Sequence, residues 1–100
     1  MKQDLDQIML DLNGKPFGDE STLKSLCLAV LMTPVSGDEQ QPLEKRIKQF
    51  GLMQKINAGG IIDLQSEEIS LIKDRAAKTL LNVVALGKLC EALEAGYKEP

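Results

Sequence analysis

A chain of 100 residues is the size of one ordinary domain and can bury a core without disulfide or metal staples. Apolar residues at 43% argue against disorder, and an aromatic share of 3% (Phe17, Phe50 and Tyr97) leaves the core to Leu, Ile, Val, Met and Ala, a composition suited to helices packed on helices. The formal charge of -3 argues against a general nucleic-acid binder, and the absence of His removes the commonest general base and nitrogen metal ligand.

The chain opens with a β signal. Ile8, Leu10 and Leu12 alternate with Met9 and Asp11, as the inward residues of a half-buried strand would. Asn13-Gly14 follows, a pair that closes a type I′ hairpin turn. The return strand at Lys15-Pro16-Phe17 is short and belongs on an edge, because Pro16 has no N–H to donate. Asp4 to Leu12 could also wind as a short helix; the Asn-Gly turn favours the hairpin.

A first helix then begins, capped by Ser21 or Thr22, with Asp19 and Glu20 complementing its positive end. Leu23, Leu26, Cys27, Val30 and Leu31 form its inner stripe, and Leu28, Ala29 and Met32 lie outside it. A helix apolar almost all round is either the centre of the core or shows a second face to a partner. Leu28 and Met32, four residues apart, are the candidate contacts on that face, with burial the favoured reading. Thr33-Pro34 ends the helix.

Ser36 and Glu39 have capping-box spacing, and Pro42 suits a helix start; either way a second helix covers Leu43 to Asn57. Leu43, Ile47 and Phe50 make one stripe, which Leu52, Met53 and Ile56 continue with a drift. Lys45, Arg46, Lys48 and Lys55 against Glu44 alone make this the one basic surface of an acidic chain. Ile61 to Leu64 reads as a brief third strand that joins the hairpin. Ser66 caps a third helix with inner residues Ile69, Ile72, Ala76 and Leu80. A fourth carries Val83, Leu86, Leu89, Cys90 and Leu93, after a break near Leu80 to Asn82 with Thr79 or Asn82 as cap. Gly96 to Pro100 should fray.

The fold class is therefore α+β, mainly α: about four helices with a small N-terminal hairpin and a third short strand. One domain over residues 1–100 divides into a hairpin and loop (1–20), a helical body (21–95) and a tail (96–100). The longest apolar run, Leu26 to Met32, is too short to span a bilayer, and no secretory leader pattern opens the chain. A cytoplasmic protein with reduced Cys27 and Cys90 follows.

The chemistry-bearing motifs fail on inspection. Aligning Gly60 with the invariant glycine of a calcium loop puts Lys55 at its first ligand position and Ser66 where a bidentate Glu belongs. The serines have no His to activate them, and Asp19-Glu20, Asp38-Glu39 and Glu67-Glu68 sit at helix starts, where acids complement the dipole. Gly14-Lys15-Pro16 lacks the spacing of a phosphate loop. The expectation is no enzyme, no cofactor, no metal, no small-molecule substrate and no membrane partner.

Met1-Lys2, Asp4-Leu5 and Asp11-Leu12-Asn13-Gly14-Lys15-Pro16, with Leu64-Gln65-Ser66-Glu67-Glu68-Ile69, Leu71-Ile72-Lys73, Val83-Val84 and Gly87, resemble small proteins encoded by tailed bacteriophages and prophages. Pro42 and Gly59-Gly60 depart from that pattern. The resemblance implies a non-enzymatic protein of the bacterial host cytoplasm and assigns no functional residue. The leading expectation is a protein-interaction module, a phage or prophage accessory or virion-assembly factor. Its partner is another protein or a second copy, met through Leu28 and Met32, with Lys45, Arg46, Lys48 and Lys55 setting orientation. The alternative is a small regulator that binds a host protein or nucleic acid through the basic helix 43–57.

Overall fold

Helix α1 is where the chain's apolar residues are densest, and the rest of the structure is arranged around it. In the computed structural model, which describes residues 1–17, 21–79 and 82–97, it spans Leu23–Met32. Thr22 takes an extended backbone, and its hydroxyl accepts the Ser25 amide at 3.1 Å, which satisfies one of the donors a helix start leaves free. The helix stops at Thr33, held extended ahead of Pro34. Leu23, Cys27, Val30 and Leu31 are buried, and α1 packs against each of the other three described helices.

Those helices are α2 (Leu43–Asn57), α3 (Ser66–Thr79) and α4 (Val83–Ala95), with strands β1 (Lys2–Asp4) and β2 (Ile61–Asp63) completing a mainly helical α+β fold. Ile72 and Ala76 of α3 and Leu89 and Leu93 of α4 close the core opposite α1, while Val83 is exposed. Asn82 caps α4, its side-chain oxygen accepting the Val84 and Ala85 amides at 2.9 and 3.3 Å, so residues 66–95 hold two helices. Leu80 and Leu81, where the break was expected, lie outside the described residues, as do Asp19 and Glu20 ahead of α1 and residues 98–100. The tail expected to fray is described as far as Tyr97, whose amide donates to the Lys2 carbonyl at 2.7 Å.

The expected third strand is present as β2, but it does not join the hairpin: it pairs antiparallel with β1, ahead of the hairpin, in the register Lys2 with Asp63, Gln3 with Ile62 and Asp4 with Ile61. The hairpin around Asn13-Gly14 is marked by a bridge between Leu10 and Pro16. Its turn differs from type I′. Gly14 alone takes positive φ (77°), its amide donates to the Asp11 carbonyl at 3.1 Å, and Asp11 N donates to Lys15 O at 2.7 Å. The Asp11 carboxylate accepts the Asn13 and Lys15 amides, which stabilises a three-residue turn with Gly14 as its bulge.

The inward and outward faces of the first strand are also the reverse of the alternation expected for Ile8, Leu10 and Leu12. Leu5 is anchored by its amide on Gly60 O and its carbonyl under Lys24 N, both at 2.9 Å. A turn follows at Leu5-Asp6, and beyond it Ile8 pairs with Thr22: the Gln7 carbonyl accepts the Leu23 amide at 3.0 Å and the Met9 amide donates to the Ser21 carbonyl at 2.6 Å, which points Met9 into the core and leaves Ile8, Leu10 and Leu12 facing outward. The capping box at Ser36 does not form either. A short 3-10 turn, Asp38–Gln40, follows Gly37, and the Pro42 carbonyl accepts the amides of Lys45 and Arg46 at the start of α2.

Both cysteines are free. Burial pushes the Cys27 thiol up to about 12, so at neutral pH its nucleophilic thiolate is absent, whereas Cys90 is only half-buried. Iodoacetamide should therefore modify Cys90 in the native protein and reach Cys27 only after denaturation, as peptide mass spectrometry will show. Equal native rates at the two positions would mean that α1 is not shielded.

Candidate functional site

The residues singled out on α1 do not form a patch. Leu28 is half-buried and packs against the core, whereas Met32, favoured for burial, is 66% exposed. Met32 is the last helical residue, beyond the end of the core that Leu31 still reaches. The Gln49 side chain of α2 donates to the Leu31 carbonyl at 2.8 Å and so seats α2 against this end of α1.

The basic residues of α2 divide unevenly. Lys45, Arg46 and Lys48 are exposed; at about 100° per residue Lys45, Lys48 and Lys55 fall within roughly 80° of one another, and Arg46 stands about 100° beyond Lys45. Lys55 is half-buried and donates to Glu68 of α3 at 2.8 Å. Partial burial of the Glu68 carboxylate works to raise its pKa, yet hydrogen bonds from the Gln65 amide and Lys55 leave it lowered. Arg46 adds a weaker electrostatic pull on Asp38. The structure therefore leaves Arg46 off the side that the three lysines share and neutralises one of those lysines, Lys55, with Glu68.

It shows instead that α2 has two apolar faces. Leu52 and Ile56 are buried against the core with Met53 partly so. Leu43, Ile47 and Phe50 are 71%, 58% and 60% exposed. The helical repeat sets these three within one narrow stripe, about half a turn around from Leu52. The single drifting stripe read from the sequence is thus two stripes on opposite sides, and the outer one stays exposed among the described residues. The signal was present in the spacing, since a step of two residues from Phe50 to Leu52 crosses the helix.

The placement of α2 rests on a contact that no local pattern announces. Arg75 of α3 is 8% exposed, and its guanidinium reaches the loop between α1 and α2. It donates to both carboxylate oxygens of Asp38, at 2.7 and 3.1 Å, and to the Thr33 carbonyl. Asp38 also accepts the Val35 amide at 2.8 Å. The Arg75 hydrogen bonds first, and the Val35 amide second, hold the Asp38 carboxyl down at about 2 from an ordinary 3.8.

Two open depressions lie on the surface. One, of about 350 Å³, is bounded by Ser66, Ile69, Ser70, Lys73, Leu93 and Glu94 among others. Ser70 and Lys73 lie one turn apart, but the Lys73 ammonium donates to Glu94 at 2.9 Å, so it does not serve Ser70 as a base. The other, of about 340 Å³, lies between the hairpin tip (Asp11, Leu12, Asn13) and Val84 at the start of α4. Among the described residues no three Cys, Asp or Glu side chains converge as a metal-ion site, and no helix is long and apolar enough to cross a membrane.

Comparison of the chain with protein-family models, with curated proteins and with solved structures finds no match.

The Arg75–Asp38 clamp makes an asymmetric prediction. Asp38→Asn strands a buried guanidinium charge, whereas Arg75→Met leaves a carboxylate that water can reach, so the first should lower the melting temperature more. The folded pKa of Asp38 lies below its unfolded value, so the clamp contributes fully above pH about 4 and its contribution is lost as pH falls toward about 2. Thermal melts from pH 5 to pH 2 should show wild type converging on Asp38→Asn. A gap that persists at the acid end would mean that the pair does not hold the loop.

Proposed function

We propose that the chain is a non-catalytic protein-interaction module that docks through the outer face of α2. The observation that carries this is the exposure of Leu43, Ile47 and Phe50 in one stripe on the side of the helix turned away from the core. Three large side chains in solvent forgo the burial that each would otherwise gain, and a contiguous exposed apolar patch of this kind marks a contact site. The stripe is held on a rigid support, because Leu52, Ile56 and Gln49 fasten the opposite side of the same helix. Docking then orders little that is not already ordered.

The resemblance to small tailed-phage proteins suggests the setting, an accessory or virion-assembly factor working in the bacterial cytoplasm, in keeping with free thiols at Cys27 and Cys90. The basic-helix alternative has less support. Arg46 stands apart from the three lysines, Lys55 is held by Glu68, and the one aromatic residue of the helix, Phe50, lies on the side opposite the lysines rather than among them.

Benzoylphenylalanine in place of Phe50, irradiated in the producing cells, should yield a covalent adduct with a polypeptide. The same probe at exposed Asp74 should give none. Equal adducts from both positions, or adducts with nucleic acid alone, would overturn the docking face. Ile47→Glu and Phe50→Glu should change stability by no more than about 0.5 kcal/mol while removing the adduct formed by a probe at Leu43. Leu23→Ala in the core should cost about 2–5 kcal/mol in the same denaturant titration.

A further inference from the structure

We infer that the outer face of α2 closes against the same face of a second copy of the chain, with the two helices antiparallel. This rests on the docking reading of α2 and names its occupant. Leu43, Ile47, Phe50 and Gln54 are exposed and follow one another at steps of four, three and four residues. That is the repeat by which one helix forms a seam with another.

The stripe is complementary to itself. Place a two-fold axis between Lys48 and Gln49. Ile47 then meets Phe50 of the second copy and Leu43 meets Gln54 of the second copy, each pair occurring twice, as an isologous contact requires. The residues flanking the seam agree with this arrangement. On one side stand Glu44 and Gly51; on the other stand Arg46 and Met53. Antiparallel pairing lays Glu44 over Gly51 of the second copy, between its Lys48 and Lys55, so the single acidic residue of α2 arrives among basic ones. Arg46 lies along the Met53 side chain of the second copy. Lys45 points away from the seam, so no like charges are forced together there.

Gly51 agrees with this arrangement. A glycine inside a helix weakens it, and here, as at Gly87 in α4, no atom lies within 4 Å of the place a Cβ would occupy. In the antiparallel pair that space admits the Glu44 side chain of the second copy. Parallel pairing gives Glu44 no such partner and leaves Arg46 facing the glycine.

Sedimentation velocity between about 1 and about 200 μM, the range in which modest interfaces dissociate, should show the mass rising from one chain to two. Phe50→Glu and Ile47→Glu should each weaken dimerisation at least about tenfold, as loss of an anchor at the centre of an interface does. Glu44→Lys and Lys48→Glu should each weaken it, and the double exchange should restore it. Lys45→Glu should leave it unchanged. For the direction of pairing, Ile47→Cys and Phe50→Cys proteins are prepared with Cys90→Ser. A mixture of the two should form the mixed disulfide faster than either forms its own. Faster disulfides within each variant would mean parallel helices and overturn the inference. So would a monomer at every concentration, or a dimer that ignores Phe50→Glu. If the chain stays monomeric while a photoprobe at Phe50 captures another polypeptide, the second copy is the wrong occupant and the docking face stands. If the Phe50 probe captures nothing as well, both fall.

Discussion

Arg75 is the interaction on which the rest of the arrangement turns. It sits in α3, among Ile72 and Ala76, at a position where the helix otherwise presents apolar residues to the core. A guanidinium there would carry a large desolvation penalty if it stood alone. Its fork is met by both oxygens of Asp38 and by the Thr33 carbonyl, groups from the segment that carries the chain out of α1 and toward α2. The planar, bidentate geometry fixes direction as well as distance. The clamp therefore decides where the connection runs, and with it the angle at which α2 leaves the body. Among the described residues the Arg75 Nε is buried without a hydrogen-bond partner, as is Gln3 Oε1 of β1.

With the loop so held, α2 needs only half of its circumference to stay in place. Leu52, Ile56 and the Gln49 bond to Leu31 secure the inner side, and the Lys55–Glu68 pair ties its last turn to α3. The outer side is then free to be apolar without cost to the fold, because the helix does not depend on it for attachment. This separation of duties explains why the substitutions that matter for docking and those that matter for stability fall on different residues of a single helix.

Much of this was legible in the residues. The bounds of α2 follow from Pro42 and the glycines after Asn57, the cap of α1 from Thr22, and the start of α4 from Asn82, all local chemistry read within a few positions. The failures have a common physical form. The outer stripe was merged with the inner one because a hydrophobic period tells which residues share a side but not which side faces the core; that depends on neighbours far away in sequence. The reversed phase of Ile8, Leu10 and Leu12 has the same origin, since the bonds of Gln7 and Met9 to Leu23 and Ser21 set it. Met32 satisfies the spacing of the α1 interior yet lies beyond the end of the core. The Arg75–Asp38 pair joins residues 37 apart, and neither carries any local mark of its partner.

The outer stripe covers only three turns, far less than an isolated helix pair needs to associate in water. That comparison uses the wrong reference state. An isolated helix must fold and dock at once, and the ordering of its backbone opposes association at about 1–2 kcal/mol per residue. Here that ordering is complete before contact, since the fold has already fixed α2 from behind. What remains unfavourable is the loss of overall translation and rotation and the freezing of a few side chains, Phe50 among them with only two torsions to lose. Against this stand the burial of three large apolar groups on each side and the exclusion of water between them. The balance favours a weak, reversible contact over an obligate one. In the proposed pairing a contact of that strength would respond to protein concentration.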